Sequence, residues 1–139
     1  MQRDPAQAIA EARKRLKRLT PEEAKVAVEE GAVLIDTRSE MERAYYGSVP
    51  GAIGIPFNML DARADPASPA HDPALSDTGR EVVVICAHGN ASSIAAARLQ
   101  DLGFAKATDV VGGFEAWKNA SLPVEKAGAP MTFRRPGGE

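Results

Sequence analysis

Val82-Val83-Val84-Ile85-Cys86-Ala87-His88-Gly89-Asn90-Ala91-Ser92-Ser93-Ile94-Ala95-Ala96-Ala97-Arg98-Leu99 reads as a strand, a tight turn and a helix in succession. The run Val82 to Ile85 is short, apolar and β-branched, the pattern of a strand buried on both faces. Ile94 to Leu99 reads as helix. Cys86, the only cysteine of the chain, therefore stands where a strand ends and a turn feeds a helix N-terminus. Such a place gathers unpaired backbone N–H groups and the positive end of a helix dipole. Both favour thiolate over thiol, and the thiolate is the reactive species. A free thiol more often fills a core, but this context points to a nucleophile.

The flanking sequence places that turn in an alternating α/β pattern. Ile9, Ala12, Leu16 and Leu19 share one face at helical spacing, predicting an amphipathic helix over 5–19. Thr20-Pro21-Glu22-Glu23 opens a second helix, with Thr20 as N-cap, Pro21 in the first turn and Glu23 closing a capping box; Gly31 ends it. Short strands follow at 32–36 and 52–55, with a helix expected at 40–46 and a helical turn at 57–62. Tyr45 and Tyr46 are expected to pack half-buried beside the turn at Val49-Pro50-Gly51. Residues 64–80, rich in Pro, Ala, Ser and Asp without apolar period, read as a long surface loop. A fourth strand is expected at 107–111, and Gly112-Gly113 opens a helix whose Phe114 and Trp117 face the core. The pattern predicts an α/β domain with a small, mostly parallel sheet and helices on both faces. Its site should lie beyond the C-terminal strand ends, where Cys86 stands.

With 139 residues the chain is one domain's worth. It divides into a basic helical extension (1–19), the domain proper (20–125) and a Gly/Pro-rich, frayed tail (126–139). The extension carries six Lys/Arg against two acids, the remainder eleven against seventeen, behind a net charge of −2. Arg13-Lys14-Arg15-Leu16-Lys17-Arg18 reads as a solvated helix face rather than a contact for RNA or an acidic partner, so no nucleic acid is expected. No apolar run has the length of a membrane span or the character of a signal peptide. One cysteine forms no internal disulfide, and its unprotected thiol suits a reducing, cytoplasmic setting. His71 and His88 are the only histidines and no ligand cluster exists, so no metal is expected. Gly112-Gly113 lacks the G-x-G-x-x-G spacing of a dinucleotide site, and no cofactor is expected.

Three segments in order resemble the rhodanese (sulfurtransferase) family. Asp36-Thr37-Arg38 with Tyr46-Gly47-Ser48-Val49-Pro50-Gly51-Ala52 is similar to its D-x-R … G-H-I-P-G-A signature. The loop Cys86-Ala87-His88-Gly89-Asn90-Ala91-Ser92 is the second, and Gly112-Gly113-Phe114-Glu115-Ala116-Trp117 with Leu122-Pro123-Val124 the third. The resemblance implies a rhodanese-like fold in which Cys86 takes a sulfane sulfur from a small donor, carries it as a persulfide and passes it to a thiol or other nucleophilic acceptor. A cradle of N–H groups from Ala87, His88, Gly89, Asn90, Ala91 and Ser92 would hold the anionic intermediate. Ser92 either offers that anion its hydroxyl or merely caps the helix. His88 fits a place on the pocket rim better than a dyad with Cys86. Asp36 and Arg38 fit a charge-assisted brace better than an acid–base pair.

The loop departs from the family in its cations. Many single-domain members place arginine five residues after the cysteine, where this chain has Ala91. Arg98 lies too far down the helix to replace it. Recognition of the thiosulfate dianion should therefore be weak, and a different donor is expected. The same gap argues against the neighbouring cysteine phosphatases, whose loop is one residue longer and ends in arginine. The alternative to an enzyme is a rhodanese-like binding or sensing module whose N-terminal helix docks a partner.

Overall fold

The computed structural model describes residues 4–126. The expected tail therefore lies, Lys126 apart, outside the described residues. Four strands form one parallel sheet in the order β2-β1-β3-β4: β1 Val33–Asp36, β2 Ile53–Gly54, β3 Val82–Ile85 and β4 Ala107–Asp109. The helices are α1 Pro5–Arg13, α2 Pro21–Glu29, α3 Glu40–Tyr46, α4 Leu60–Ala64, α5 Ala91–Asp101 and α6 Gly113–Asn119.

Strand residues alternate between two apolar layers, as the pleat requires. Val33, Ile35, Val82 and Val84 pack with α4 and α5 through Leu60, Ala95 and Leu99. Leu34, Val83 and Ile85 pack with α2 and α6 through Ala24, Phe114 and Trp117. Helices thus cover both faces of the sheet. Trp117 is buried and its Nε1–H donates to Pro123 O at 2.8 Å, which satisfies the one polar atom of the ring. The capping boxes of Thr20 with Glu23 and of Ser39 with Glu42 fix the starts of α2 and α3.

The structure corrects the sequence reading in four places. The first helix ends at Arg13, not residue 19. Leu19 instead lies along the sheet: its N–H donates to Asp109 O (3.0 Å) and its C=O accepts from Val111 N–H (2.8 Å). Sheet-edge hydrogen bonds outcompete helical ones there, and Thr108 Oγ1 donating to Lys17 O (2.9 Å) helps to hold the segment down. The fourth strand is shorter than expected, ending at Asp109. Between residues 57 and 64 a 3-10 turn, Phe57–Met59, precedes α4. Tyr45 and Tyr46 are solvent-exposed, at 80% and 55%, and pack edge-to-face on each other rather than into the fold.

The polar stretch 64–80 also hides an anchor. Asp72 caps a 3-10 turn over Pro73–Leu75 that drops Leu75 into the core with no exposed surface. Leu75→Ala should cost about 2–5 kcal/mol of stability, the range for emptying a buried leucine site. Urea unfolding checks this; an unchanged midpoint would mean that the loop does not anchor the α4 side of the sheet.

Candidate active site

The pairing register brings Asp36, Ile85 and Asp109 to the C-terminal edge of the sheet, so Cys86 emerges there between two acids. The turn that follows is tight, and its carbonyls are drawn outward. Phe114 N–H donates to Cys86 O at 2.7 Å and Glu115 N–H to Ala87 O at 3.1 Å, both from the first turn of α6. Gly89 O accepts from the Nη2 atoms of Arg13 (2.8 Å) and Arg18 (2.9 Å). With carbonyls outside, amides face inward. Cys86 Sγ accepts from Gly89 N–H and Ser92 N–H, each at 3.2 Å. Four further loop amides, those of Ala87, His88, Asn90 and Ala91, donate to no acceptor among the described residues. The arrangement suits an anion seated on or beyond the sulfur.

Two glycines permit this packing. Gly89, at φ +87°, lies against α6, where a Cβ would stand 2.6 Å from Gly112 N. Gly113, at φ +63°, lies under the loop, where a Cβ would stand 2.5 Å from Cys86 O and 2.6 Å from Gly89 N. The pair Gly112-Gly113 thus serves close backbone contact, consistent with its unsuitability for a dinucleotide.

Behind the loop sits a buried polar network. Asp109 has no exposed surface; its Oδ2 accepts from Ser92 Oγ and Ser93 Oγ, both at 2.8 Å. Arg18 completes the set with Nε to Oδ1 (2.8 Å) and Nη2 to Oδ2 (3.1 Å). Ser92 therefore turns its hydroxyl to Asp109, while its backbone N–H faces Cys86. Arg13 reaches the same region, with Nε donating to Ser93 Oγ (3.0 Å) and Nη2 to Asn90 Oδ1 (3.1 Å).

On the solvent side a cleft of about 300 Å³ opens between Thr37, Arg38, Glu42, Phe57 and the cysteine loop. A second of about 310 Å³ adjoins it and runs past Tyr46 and Lys118. Asp36 and Arg38 are both buried and their side chains are bonded twice, Nε to Oδ1 at 3.1 Å and Nη2 to Oδ2 at 2.8 Å, with the Arg38 N–H also on Oδ1 at 3.0 Å. Arg38 Nη2 also donates to Gly47 O (2.8 Å), and its guanidinium lies 4.0 Å from the centroid of the Phe114 ring. This geometry ties the β1 end to the turn after α3 and stacks it on α6. His88 is exposed, with Nδ1 3.1 Å from Glu115 Oε1. Arg98 lies on the outer face of α5 and pairs with Asp61, whose carboxyl it holds below the usual range mainly by side-chain hydrogen bonding.

Sequence reading missed Arg13, Arg18 and Asp109. The arginines belong to the basic cluster read as a solvated face, and no local spacing links them to a loop more than seventy residues away. Asp109, a carboxylate in the middle of the expected strand 107–111, carried the only visible signal. Among the described residues no group of three His, Cys, Asp or Glu side chains is placed to hold a metal, and no helix is long and apolar enough to cross a membrane.

The chain has clear relatives. The family model of the rhodanese-like domain matches residues 20–120. A thiosulfate sulfurtransferase GlpE of Pseudomonas savastanoi pv. phaseolicola is 37% identical over 109 residues, covering 78% of this chain and 92% of that one. A solved structure from Rhodopseudomonas palustris, a protein of unknown function described as a possible tyrosine phosphatase, superposes with a TM-score of 0.83 at 30% identity, over 90% of this chain and 96% of that one. A human single-domain sulfurtransferase superposes with a TM-score of 0.64 at 26% identity, over 73% and 95%.

Proposed function

Because the chain belongs to the rhodanese-like domain family, we propose that it is a sulfurtransferase working through a persulfide on Cys86. The observation that carries this reading is the inward set of loop amides around a single thiol. In the first half-reaction the Cys86 thiolate attacks the outer sulfur of a donor. A new S–S bond forms to Cys86, the donor's S–S bond breaks, and the electron pair leaves with the donor's remaining sulfur. In the second, an acceptor thiolate attacks the outer sulfur of the persulfide. Cys86 leaves as thiolate, and the acceptor departs as a persulfide. The attacking thiolate, the persulfide anion and the departing Cys86 thiolate of the second step all place negative charge inside the loop, where fixed N–H donors need no reorganisation to stabilise it.

The cleft favours a donor less charged than thiosulfate. Its one guanidinium, on Arg38, is already paired with Asp36, and Glu42 shares the lining. His88 faces Glu115 at the rim. A dianion would enter past carboxylates and meet no unpaired side-chain cation in that lining. The same feature disfavours phosphoryl transfer, which needs a cation on the transferring group. Neither Ala91 nor Ser92, at the end of the loop, can supply it.

Intact-protein mass spectrometry tests the reading. Incubation with a small organic persulfide should add about 32 Da, one sulfur held as a cysteine persulfide; thiosulfate should load a smaller fraction. Preferential loading by thiosulfate would reject the donor preference. No gain with either would leave a binding module in place of an enzyme.

A further inference from the structure

We propose that Arg13 and Arg18, from the segment preceding the family-matched span, are positioning residues for Cys86: they set the Gly89–Asn90 peptide and place positive charge behind the cysteine loop. The geometry stands by itself; the consequence for turnover rests on the sulfurtransferase reading.

In a trans peptide the C=O and the next N–H point in opposite directions. Anchoring a carbonyl on the outside of the loop therefore aims the following amide inward. Three such anchors exist. Cys86 O and Ala87 O are held by the first-turn amides of α6 and so aim the N–H groups of Ala87 and His88. Among the described residues Gly89 O has no backbone donor; the two guanidiniums hold it, with Ser93 Oγ at a marginal 3.5 Å. It is also the anchor that most needs holding. Gly89 sits at φ +87°, and glycine's freedom at positive φ leaves the following peptide plane able to turn over. Without the arginines the Asn90 N–H has nothing to keep it on the inner side of the loop.

The charges are arranged to the same end. Arg18 is neutralised by Asp109, its bidentate partner. Arg13 donates to Ser93 Oγ, Gly89 O and Asn90 Oδ1, none of them a carboxylate. Among the described residues the loop thus has a net cation at its back, although Ala91 stands where many single-domain members carry arginine. On its solvent side stand Arg38 with its partner Asp36, Glu42 and His88, and at the rim Glu115 and Lys118. Neither N-terminal arginine lines the cleft, so both act through the loop and not on the substrate. The segment that carries them is fastened to the domain, since α1 packs on α5 and Gln100 Nε2 donates to Arg15 O (3.1 Å).

The test uses the full chain with Arg13→Ala, Arg13→Gln and Arg13→Lys; Arg18 is left in place because its loss would bury Asp109 unpaired. Two readouts are taken: the rate of Cys86 alkylation by iodoacetamide at fixed pH, and kcat and KM for sulfur transfer from an organic persulfide. Arg13→Ala should lower kcat about tenfold to a hundredfold with KM little changed, somewhat less than the loss of a direct oxyanion donor. Alkylation should slow about threefold to tenfold, the scale of one nearby charge on a thiolate. Arg13→Lys should recover most of the alkylation rate and part of kcat, because an ammonium keeps the charge but not the forked contact. If Arg13→Ala fails to fold, Arg13→Gln decides, since it retains a donor while removing the charge. A folded Ala or Gln variant with kcat and alkylation both within about twofold of the parent, well inside the effect of one lost charge, overturns the proposal. Alkylation needs no sulfur donor, so the two readings separate. Slower alkylation in a chain that never forms a persulfide upholds the brace and sinks the activity; normal loading with unchanged alkylation does the reverse.

Discussion

Cys86→Ser should reduce sulfur transfer to the uncatalysed level and abolish the mass gain with every donor. A serine hydroxyl is a far weaker nucleophile than a thiolate and has no base placed beside it. Gly89 N–H and Ser92 N–H aim at Sγ, and His88 is turned to Glu115. The chain has no second cysteine to take over. Because the substitution is nearly isosteric at a site only 6% exposed, the fold should survive. Stability should change by no more than about 1 kcal/mol, a small effect on the scale of single substitutions. Mass spectrometry and a steady-state assay on the same sample check both halves. Any sulfur retained by a folded Cys86→Ser protein would place the nucleophile elsewhere and remove the basis of the mechanism.

The next largest effect is expected from a methyl group. Gly113→Ala would set a Cβ 2.5 Å from Cys86 O, 2.6 Å from Gly89 N and 2.8 Å from the Ala87 carbonyl carbon. All three are backbone atoms, so no flexible side chain can yield, and the loop itself must shift. Its amide donors would lose their aim, and kcat should fall about a hundredfold to a thousandfold, the scale of a lost oxyanion donor. Stability should fall by about 1–3 kcal/mol from strain at φ +63° and the displaced contacts. Gly31→Ala provides the comparison. Gly31 also has positive φ, +111°, but a Cβ there meets nothing within 4 Å. It should show the backbone cost of about 1–2 kcal/mol with kcat intact. Equal kcat in the two variants would show that the packing of Gly113 under the loop does not shape the site.

Much of the architecture was legible because it is written in short-range patterns. The apolar runs at 32–36 and 82–85 and the capping box at Thr20 each act within a few residues. Cys86 could be placed from the strand and helix on either side of it. The back of the site was not legible, for a physical reason. Arg13 and Arg18 act on Gly89 and Asp109 across long chain separations, and a guanidinium in a basic cluster looks the same whether it meets water or a carbonyl. Leu75 was lost in the same way, a single apolar side chain in a polar stretch whose burial depends on a cavity made by other segments. Ser92 could be read as anion ligand or cap; the tertiary partner Asp109, not the helix, claims its hydroxyl.

The contact between the N-terminal arginines and Gly89 also orders events during synthesis. A chain leaves the ribosome N-terminus first, so Arg13 and Arg18 emerge long before the carbonyl they grip, separated from it by 76 and 71 residues. The carboxylate that pairs with Arg18 follows 91 residues behind it. Closing such spans is the slow, entropically costly part of folding. The thiol is translated before Asp109 and before the glycine pair that supports its loop, so a nascent chain halted in between carries its cysteine on a turn with no shape. Competence of this sulfur site is therefore acquired late, when both ends of the domain have met.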